Sequence, residues 1–308
     1  MKDPLHIDIN IKRLDDFVTK HSQIQEDLED GTPVFASVEF SINGACNRRC
    51  TFCPRVDEDG YPNIYNSLDI KVFEKNLIDL KKINYKGRFS FSGFSEPLLT
   101  KNLHEYISLM KTNLPNSPVE IVSNGDPLTR RNGAKRLNEL FENGLTNIRI
   151  SLYDGPEQRP YFENLKKELN LNDAQFILRN RYLKPDKSYG MTISNRAGSV
   201  NLTNEVFELK PLQEPLKQPC YYPFYKVLID YNGDLLMCSN DWKKERVMGN
   251  ICSESIVTIW KNKIFNNTRK RLAVCDRSHA PCNVCDVEGT MNGKSAFDKW
   301  NAFFSSKP

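Results

Sequence analysis

The sequence has no apolar run approaching the roughly 20 residues that a bilayer-spanning helix needs, which speaks against a transmembrane helix. Its first residues, Met1-Lys-Asp-Pro-Leu-His-Ile-Asp, hold no apolar core of a secretory signal. No dense basic run is present either. Lys and Arg number 43 against 39 Asp and Glu, a surplus that a solvated surface absorbs. Neither a nucleic acid nor a membrane is therefore expected as a partner, and a cytoplasmic location is. The chain also lacks internal repeats and low-complexity tracts. Its nine cysteines are an odd number, which fits a disulfide framework poorly. Where thiols stay reduced, clustered cysteines point to metal or catalysis instead.

What is present suits one large or two modest domains: 308 residues, 39% of them hydrophobic, with 17 Phe and 12 Tyr. From Val34 onward, strand and helix patterns alternate. Val34–Ile42 is an apolar, β-rich run. Ile70, Phe73, Leu77 and Leu80 share one face of a helix expected over Asp69–Ile83. Strands follow at Arg88–Ser92, Val119–Ser123 and Asn147–Leu152, with weaker ones at Ala174–Leu178 and Gly190–Ser194. Helices are expected around Leu103–Met110 and Leu137–Phe141, the latter ending at Gly144. Such alternation argues for right-handed βαβ units and a parallel sheet. Residues 1–32, with an alternation at Ile7, Ile9 and Ile11, read as an N-terminal extension, with a leading strand or lid as alternatives. Pro211, Pro215 and Pro219 mark a boundary. Beyond it, Lys226–Ile229 and Leu235–Cys238 flank a hairpin signal at Asp230–Asp234, and Ile256–Leu272 reads as one helix carrying Ile256, Ile259, Trp260 and Ile264.

Just after the first strand stands Cys46-Asn-Arg-Arg-Cys50-Thr-Phe52-Cys53. Short fixed spacings let one loop wrap an iron–sulfur cluster with thiolates. Three ligands leave one iron open, as a catalytic zinc keeps an open position. A zinc loop or a chance clustering is the plainer alternative. In parallel barrels the chemistry sits at the C-terminal strand ends, where this loop falls.

CxxxCxxC with Phe52 before its last cysteine resembles the radical S-adenosylmethionine superfamily. The resemblance implies a partial (β/α)6 parallel barrel over 33–202. It also implies a 4Fe–4S cluster whose open iron chelates S-adenosylmethionine, yielding a 5′-deoxyadenosyl radical that abstracts hydrogen from substrate. Ser92-Gly93-Phe94-Ser95-Glu96-Pro97 is similar to the family's second-strand motif, usually written GGE, and has lost the second glycine. By the same resemblance Gly93 and Glu96 meet the methionine amino group. Ser123, Asn124 and Ser151 at later strand ends meet ribose or carboxylate, and Phe52 packs near adenine. Asn-Gly and Asp-Gly are also ordinary turn formers. Arg196, after the last weak strand, points to the barrel mouth as a catalytic candidate. Arg179 and Arg181 alternate on one strand side, and such arginines clamp carboxylate or phosphate or form surface ion pairs.

Cys220, Cys238, Cys282 and Cys285, around Gly233, resemble the opening of the SPASM domain in its shortened twitch form. Residues 203–308 are thus expected to form a small module of β-hairpin plus helix. The resemblance implies one auxiliary 4Fe–4S cluster fully ligated by these four; a structural zinc ion held by the same four thiolates is the alternative. Cys252 and Cys275 are unassigned. The arrangement is similar to that of butirosin-type aminocyclitol dehydrogenases, which implies two-electron oxidation of an alcohol on a small polar substrate, a sugar or cyclitol. An electron donor such as flavodoxin or ferredoxin is implied too. A radical epimerase, with Cys252 or Cys275 returning hydrogen, is the second reading. A non-catalytic zinc or cluster module binding nucleic acid is the third.

Overall fold

The computed structural model describes residues 9–182, 189–204 and 207–306. Its centre is an eight-stranded sheet. The strands are β1 (Ser37–Phe40), β2 (Arg88–Phe91), β3 (Val119–Ser123), β4 (Asn147–Leu152), β5 (Phe176–Asn180), β6 (Lys226–Ile229), β7 (Asp234–Leu236) and β8 (Val247–Asn250). Their spatial order is β8-β7-β6-β1-β2-β3-β4-β5. All neighbours from β6 through β5 pair in parallel, whereas β6–β7 and β7–β8 are antiparallel.

Between the strands run α2 (Ile70–Lys82), α3 (Leu103–Asn113), α4 (Gly133–Glu142) and α5 (Arg159–Glu168). Asp69 starts α2 by accepting the Lys71 and Val72 amides, which satisfies donors that a helix start leaves open. Phe73, Leu77 and Leu80 of α2, and Tyr106, Ile107 and Met110 of α3, cover Val38, Phe40, Phe89, Phe91 and Ile121 on the outer sheet face. Side chains alternate across a strand, so the intervening residues point inward. These are Ser37 and Glu39 of β1, Arg88 and Ser90 of β2, and Arg149 and Ser151 of β4. Where a closed barrel is filled by apolar layers, this one keeps a polar chamber.

Three sequence expectations change. Gly190–Ser194 is not a strand; the place beside β1 opposite β2 is taken by β6, register Ser37↔Lys226 to Phe40↔Ile229. The Asp230–Asp234 turn does form, with Gly233 at φ 87°, and it extends the barrel sheet rather than a separate one. The expected helix 256–272 is two, α6 (Ile256–Trp260) and α7 (Lys263–Ala273), because Asn262 caps a new start by accepting the Phe265 amide. Ile264 is consequently exposed. In the N-terminal stretch Ile7 lies outside the described residues, and from Ile9 the chain is a helix, not a strand: α1 spans Ile9–Ile24. It packs on the final helix α8 (Lys294–Ser305), and Asp15 accepts the Gly293 amide that precedes α8.

Candidate active site

The cysteine loop is clamped from three sides. Gly44 sits so close to Ile64 that a Cβ would lie 2.8 Å from its carbonyl oxygen and 2.9 Å from the Tyr231 ring. The Arg55 side chain is buried and donates to the carbonyls of Phe94 (2.6 Å) and Gly44 (3.0 Å) and to Asn63. Asn63 in turn accepts the Cys46 amide at 2.9 Å. Arg48 reaches across to Asp126 and Asp154, 2.6 Å from each, at the ends of β3 and β4. Such fork-shaped contacts fix geometry as well as charge.

This clamping brings Cys46, Cys50 and Cys53 to the wall of one chamber of about 380 Å³. Phe52, Gly93, Glu96, Ser123, Asn124 and Ser151, all expected at the site, line the same chamber, and so does Arg196. Phe52 packs between Tyr153 and Tyr189. Gly93 turns with φ 79°, a left-handed conformation that favours glycine. The Glu96 carboxylate is buried and accepts from Ser123 Oγ (2.8 Å) and from the amides of Asn124 (2.7 Å) and Leu98 (2.9 Å). Burial pushes its pKa up to about 7 against the pull of those hydrogen bonds. Glu96 therefore organises the Ser123–Asn124 turn directly.

The lost glycine of the second-strand motif has a structural explanation. Phe94 packs on Trp242 with the rings tilted by 38° and centroids 4.3 Å apart, and against Leu228 and Leu236. The motif loop is thereby fastened to the hairpin of the C-terminal module. Trp242, Lys226 and Ser239 from that module also line the chamber. Sequence reasoning missed all three, and missed Arg48. Arg48 stands inside the cysteine motif and Trp242 four residues past Cys238, positions that could have flagged them, but their partners are distant in sequence.

Cys220, Cys238, Cys282 and Cys285 converge on a second, smaller cavity of about 20 Å³, capped by Arg277 and Tyr222. Arg277 is held by the carbonyls of Gln218, Pro219 and Val287. Burial pushes the thiols up, Cys220 to about 11 and Cys285 to about 12, and each is raised further by its neighbours. Cys50 in the first set rises to about 12 for the same reasons, burial first and then Cys53 and Cys46. Thiolates so placed need a positive centre, and metal ligation supplies one. Among the described residues, no three His, Cys, Asp or Glu side chains form a group compact enough for a single ion. Four thiols lining one cavity are a donor set that either a cluster or a zinc ion can use.

Cys252 is exposed, with its sulfur near the Asn232 carbonyl, and Cys275 follows α7 in a left-handed turn (φ 65°). Neither lines the chamber. The hydrogen-donor role considered for them is not matched by their positions.

Comparison with known proteins agrees with this geometry. A family model described as the radical SAM superfamily matches residues 40–179, and one for SPASM, an iron–sulfur cluster-binding domain, matches residues 220–286. The chain is 28% identical over 258 residues to the S-adenosyl-L-methionine-dependent 2-deoxy-scyllo-inosamine dehydrogenase of Niallia circulans, covering 82% of this chain and 93% of that protein. It is 29% identical over 140 residues to GTP 3',8-cyclase of Chlorobaculum tepidum, covering 43% of this chain and 39% of the other. The crystal structure of BtrN in complex with AdoMet and 2-DOIA has a similar fold, with TM-score 0.67 at 24% identity over 85% of this chain and 98% of that one. Native anSMEcpe with bound AdoMet matches at TM-score 0.51 and 12% identity, over 87% of this chain and 96% of that one. No helix among the described residues is long and apolar enough to cross a membrane. Residues 40–179 are thus a radical SAM domain and residues 220–286 a SPASM domain, and the cofactors are accordingly a 4Fe–4S cluster, S-adenosylmethionine and an auxiliary cluster.

Proposed function

We propose that the protein oxidises a secondary alcohol of a small polyol, a sugar or cyclitol, to a ketone, with net loss of two electrons and two hydrogens. In this reading Cys46, Cys50 and Cys53 hold the open-iron cluster, and Cys220, Cys238, Cys282 and Cys285 hold the auxiliary one. When bound, these groups and S-adenosylmethionine supply hydrogen-atom abstraction and electron uptake. The protein's part is position. Glu96 fixes the Ser123–Asn124 turn, which would hold the cofactor's polar end, Arg48 locks the cysteine loop over the strand ends, and Trp242 closes the chamber from the C-terminal side. Residues 33–202 form the cofactor-binding part and 203–308 the auxiliary part.

One observation carries the proposal: the first cysteine set opens onto a chamber whose far wall, Arg196, Lys226 and Ser239, adjoins the second set. Ser239 follows Cys238 directly, and Ala197, next to Arg196, lines the auxiliary cavity. A substrate there would lie between hydrogen abstraction and electron uptake. The similarity to an aminocyclitol dehydrogenase supports the same reaction class. The epimerase reading lacks a hydrogen-donor cysteine in the chamber: Cys46, Cys50 and Cys53 are taken as cluster ligands, and neither Cys252 nor Cys275 lines it. A flavodoxin or ferredoxin would serve as electron donor.

The test is turnover of anaerobically reconstituted protein with a reductant, S-adenosylmethionine and a panel of cyclitols and sugars. A ketone should form together with 5′-deoxyadenosine in equal amounts. Recovery of an inverted alcohol carrying solvent deuterium would contradict the proposal.

A further inference from the structure

We infer that the substrate carries an acidic group, phosphate or carboxylate, held by Arg196 and Lys226; this rests on the chamber being the substrate site. Arg196 and the next residue, Ala197, both adopt left-handed backbone, φ 48° and 50°. Two successive non-glycine residues there cost roughly 1 kcal/mol or more each, and such strain persists where surroundings over-determine it. The surroundings do so here. Fully buried Asn195 donates its amide to Asp286 (3.0 Å) and its side chain to the carbonyls of Lys210 (2.9 Å) and Val284 (2.7 Å). The turn is thus fastened beside Cys285, and Arg196 is presented to the chamber.

There the Arg196 guanidinium donates to the neutral amide oxygen of Asn240 at 3.2 Å, and no carboxylate among the described residues pairs with it. Lys226 Nζ donates to Ser239 Oγ at 2.9 Å and stands 3.8 Å from Glu39, whose carboxylate also accepts from Ser92. Arg196 therefore faces a neutral partner, and Lys226 a distant carboxylate and the Tyr222 ring at 4.5 Å. Deeper in, Arg88 and Arg149 share the single carboxylate of Glu120, at 2.7 and 2.9 Å. The other charged groups on the wall are Glu96, Arg48 and Arg55 on the cysteine-loop side and Arg179 and Arg181 opposite.

A guanidinium fork, an ammonium and a hydroxyl converging on one space are the groups that bind an oxyanion. A neutral polyol would leave the Arg196 charge without an anionic partner and that of Lys226 with only the distant Glu39, and an amino sugar would add a like charge. Lys226 also favours the Cys238 thiolate, so the competing account is that these cations serve the auxiliary cluster alone.

The experiment is calorimetric binding to reconstituted holoenzyme with S-adenosylmethionine, at low and high salt. The probes are glucose 6-phosphate, glucuronate, glucose and glucosamine. At least one acidic sugar should bind roughly tenfold or more tightly than glucose, the scale of one charge-assisted hydrogen bond, and high salt should narrow the gap. Preference for phosphate over carboxylate, or the reverse, identifies the group. Arg196→Gln and Lys226→Gln should each erase most of the preference, and Arg196→Lys should keep part of it. Should a variant lose auxiliary iron, the wild-type ranking decides. Glucose or glucosamine binding as tightly as both acidic sugars would assign the cations to the cluster alone and overturn the inference. A ketone formed from a neutral cyclitol, without acid preference, would overturn it and leave alcohol oxidation standing. Tight acid binding without oxidation of any alcohol would do the reverse.

Discussion

Glu96 presents a carboxylate whose two oxygens already serve Ser123, Asn124 and Leu98. Its motif position was legible in the sequence; its place as the hub of the neighbouring turn was not, because those donors come from another strand end. Glu96→Gln turns one acceptor into a donor facing a donor. Hydrogen bonds to charged groups are worth about 1.5–3 kcal/mol, so S-adenosylmethionine affinity should fall about tenfold or more while the iron content holds. Calorimetric titration of the cofactor checks this; unchanged affinity would remove Glu96 from the site. Arg269 makes a second residue-scale test. It is fully buried, its guanidinium 3.8 Å from the Trp260 ring centre, 3.9 Å from Phe265 and 4.0 Å from Trp300. It also donates to the carbonyls of Pro223 and Trp260. Arg269→Ala forfeits the cation–π contacts, strands two carbonyls and opens a cavity, a loss of about 3–5 kcal/mol. Denaturant unfolding should show it; a loss under about 1 kcal/mol, typical of a surface substitution, would refute the cage as a keystone.

Among the elements, α1 and β6 show where sequence reading stops. The alternation at Ile9 and Ile11 allows a strand, but Leu14, Phe17, Val18 and His21 follow helical spacing, and the helix wins by packing into the main core and on α8. The strand Lys226–Ile229 was legible from its hairpin turn; its parallel partner β1 was not, since nothing local encodes a pairing across nearly 190 residues of chain. By contrast β3, β4 and α2 were read closely, because period and turn signals there agree with tertiary packing. His21 offers the test at this scale. Burial, then Lys299 and Lys86, lowers its pKa from 6.5 to about 4. The fold favours the neutral ring, so its contribution is whole above pH 6.5 and is lost as pH falls toward 4. That amounts to up to about 3 kcal/mol at 1.36 kcal/mol per unit. His21→Leu should flatten the stability curve over this window relative to wild type. Parallel curves would contradict the assignment.

For the whole molecule, the decisive feature is a sheet that runs through both halves. Without β6, β1 would become an open parallel edge, which folded proteins avoid. The chain should therefore unfold as one unit. All three tryptophans, Trp242, Trp260 and Trp300, lie in the C-terminal part, while most barrel helices precede residue 170. Fluorescence and far-ultraviolet dichroism should give coincident denaturation curves; separated midpoints would show independent halves. The same continuity sets the two cysteine sets on either side of one chamber, and iron counting with cofactor cleavage tests that arrangement most directly. Anaerobically reconstituted wild type should hold about eight irons, as two cubane clusters require. Replacing Cys46, Cys50 and Cys53 by alanine should leave about four irons and abolish S-adenosylmethionine cleavage. Replacing Cys220, Cys238, Cys282 and Cys285 should also leave about four, with cleavage retained and ketone formation lost. Cleavage surviving in the first variant, or eight irons persisting in either, would contradict the account.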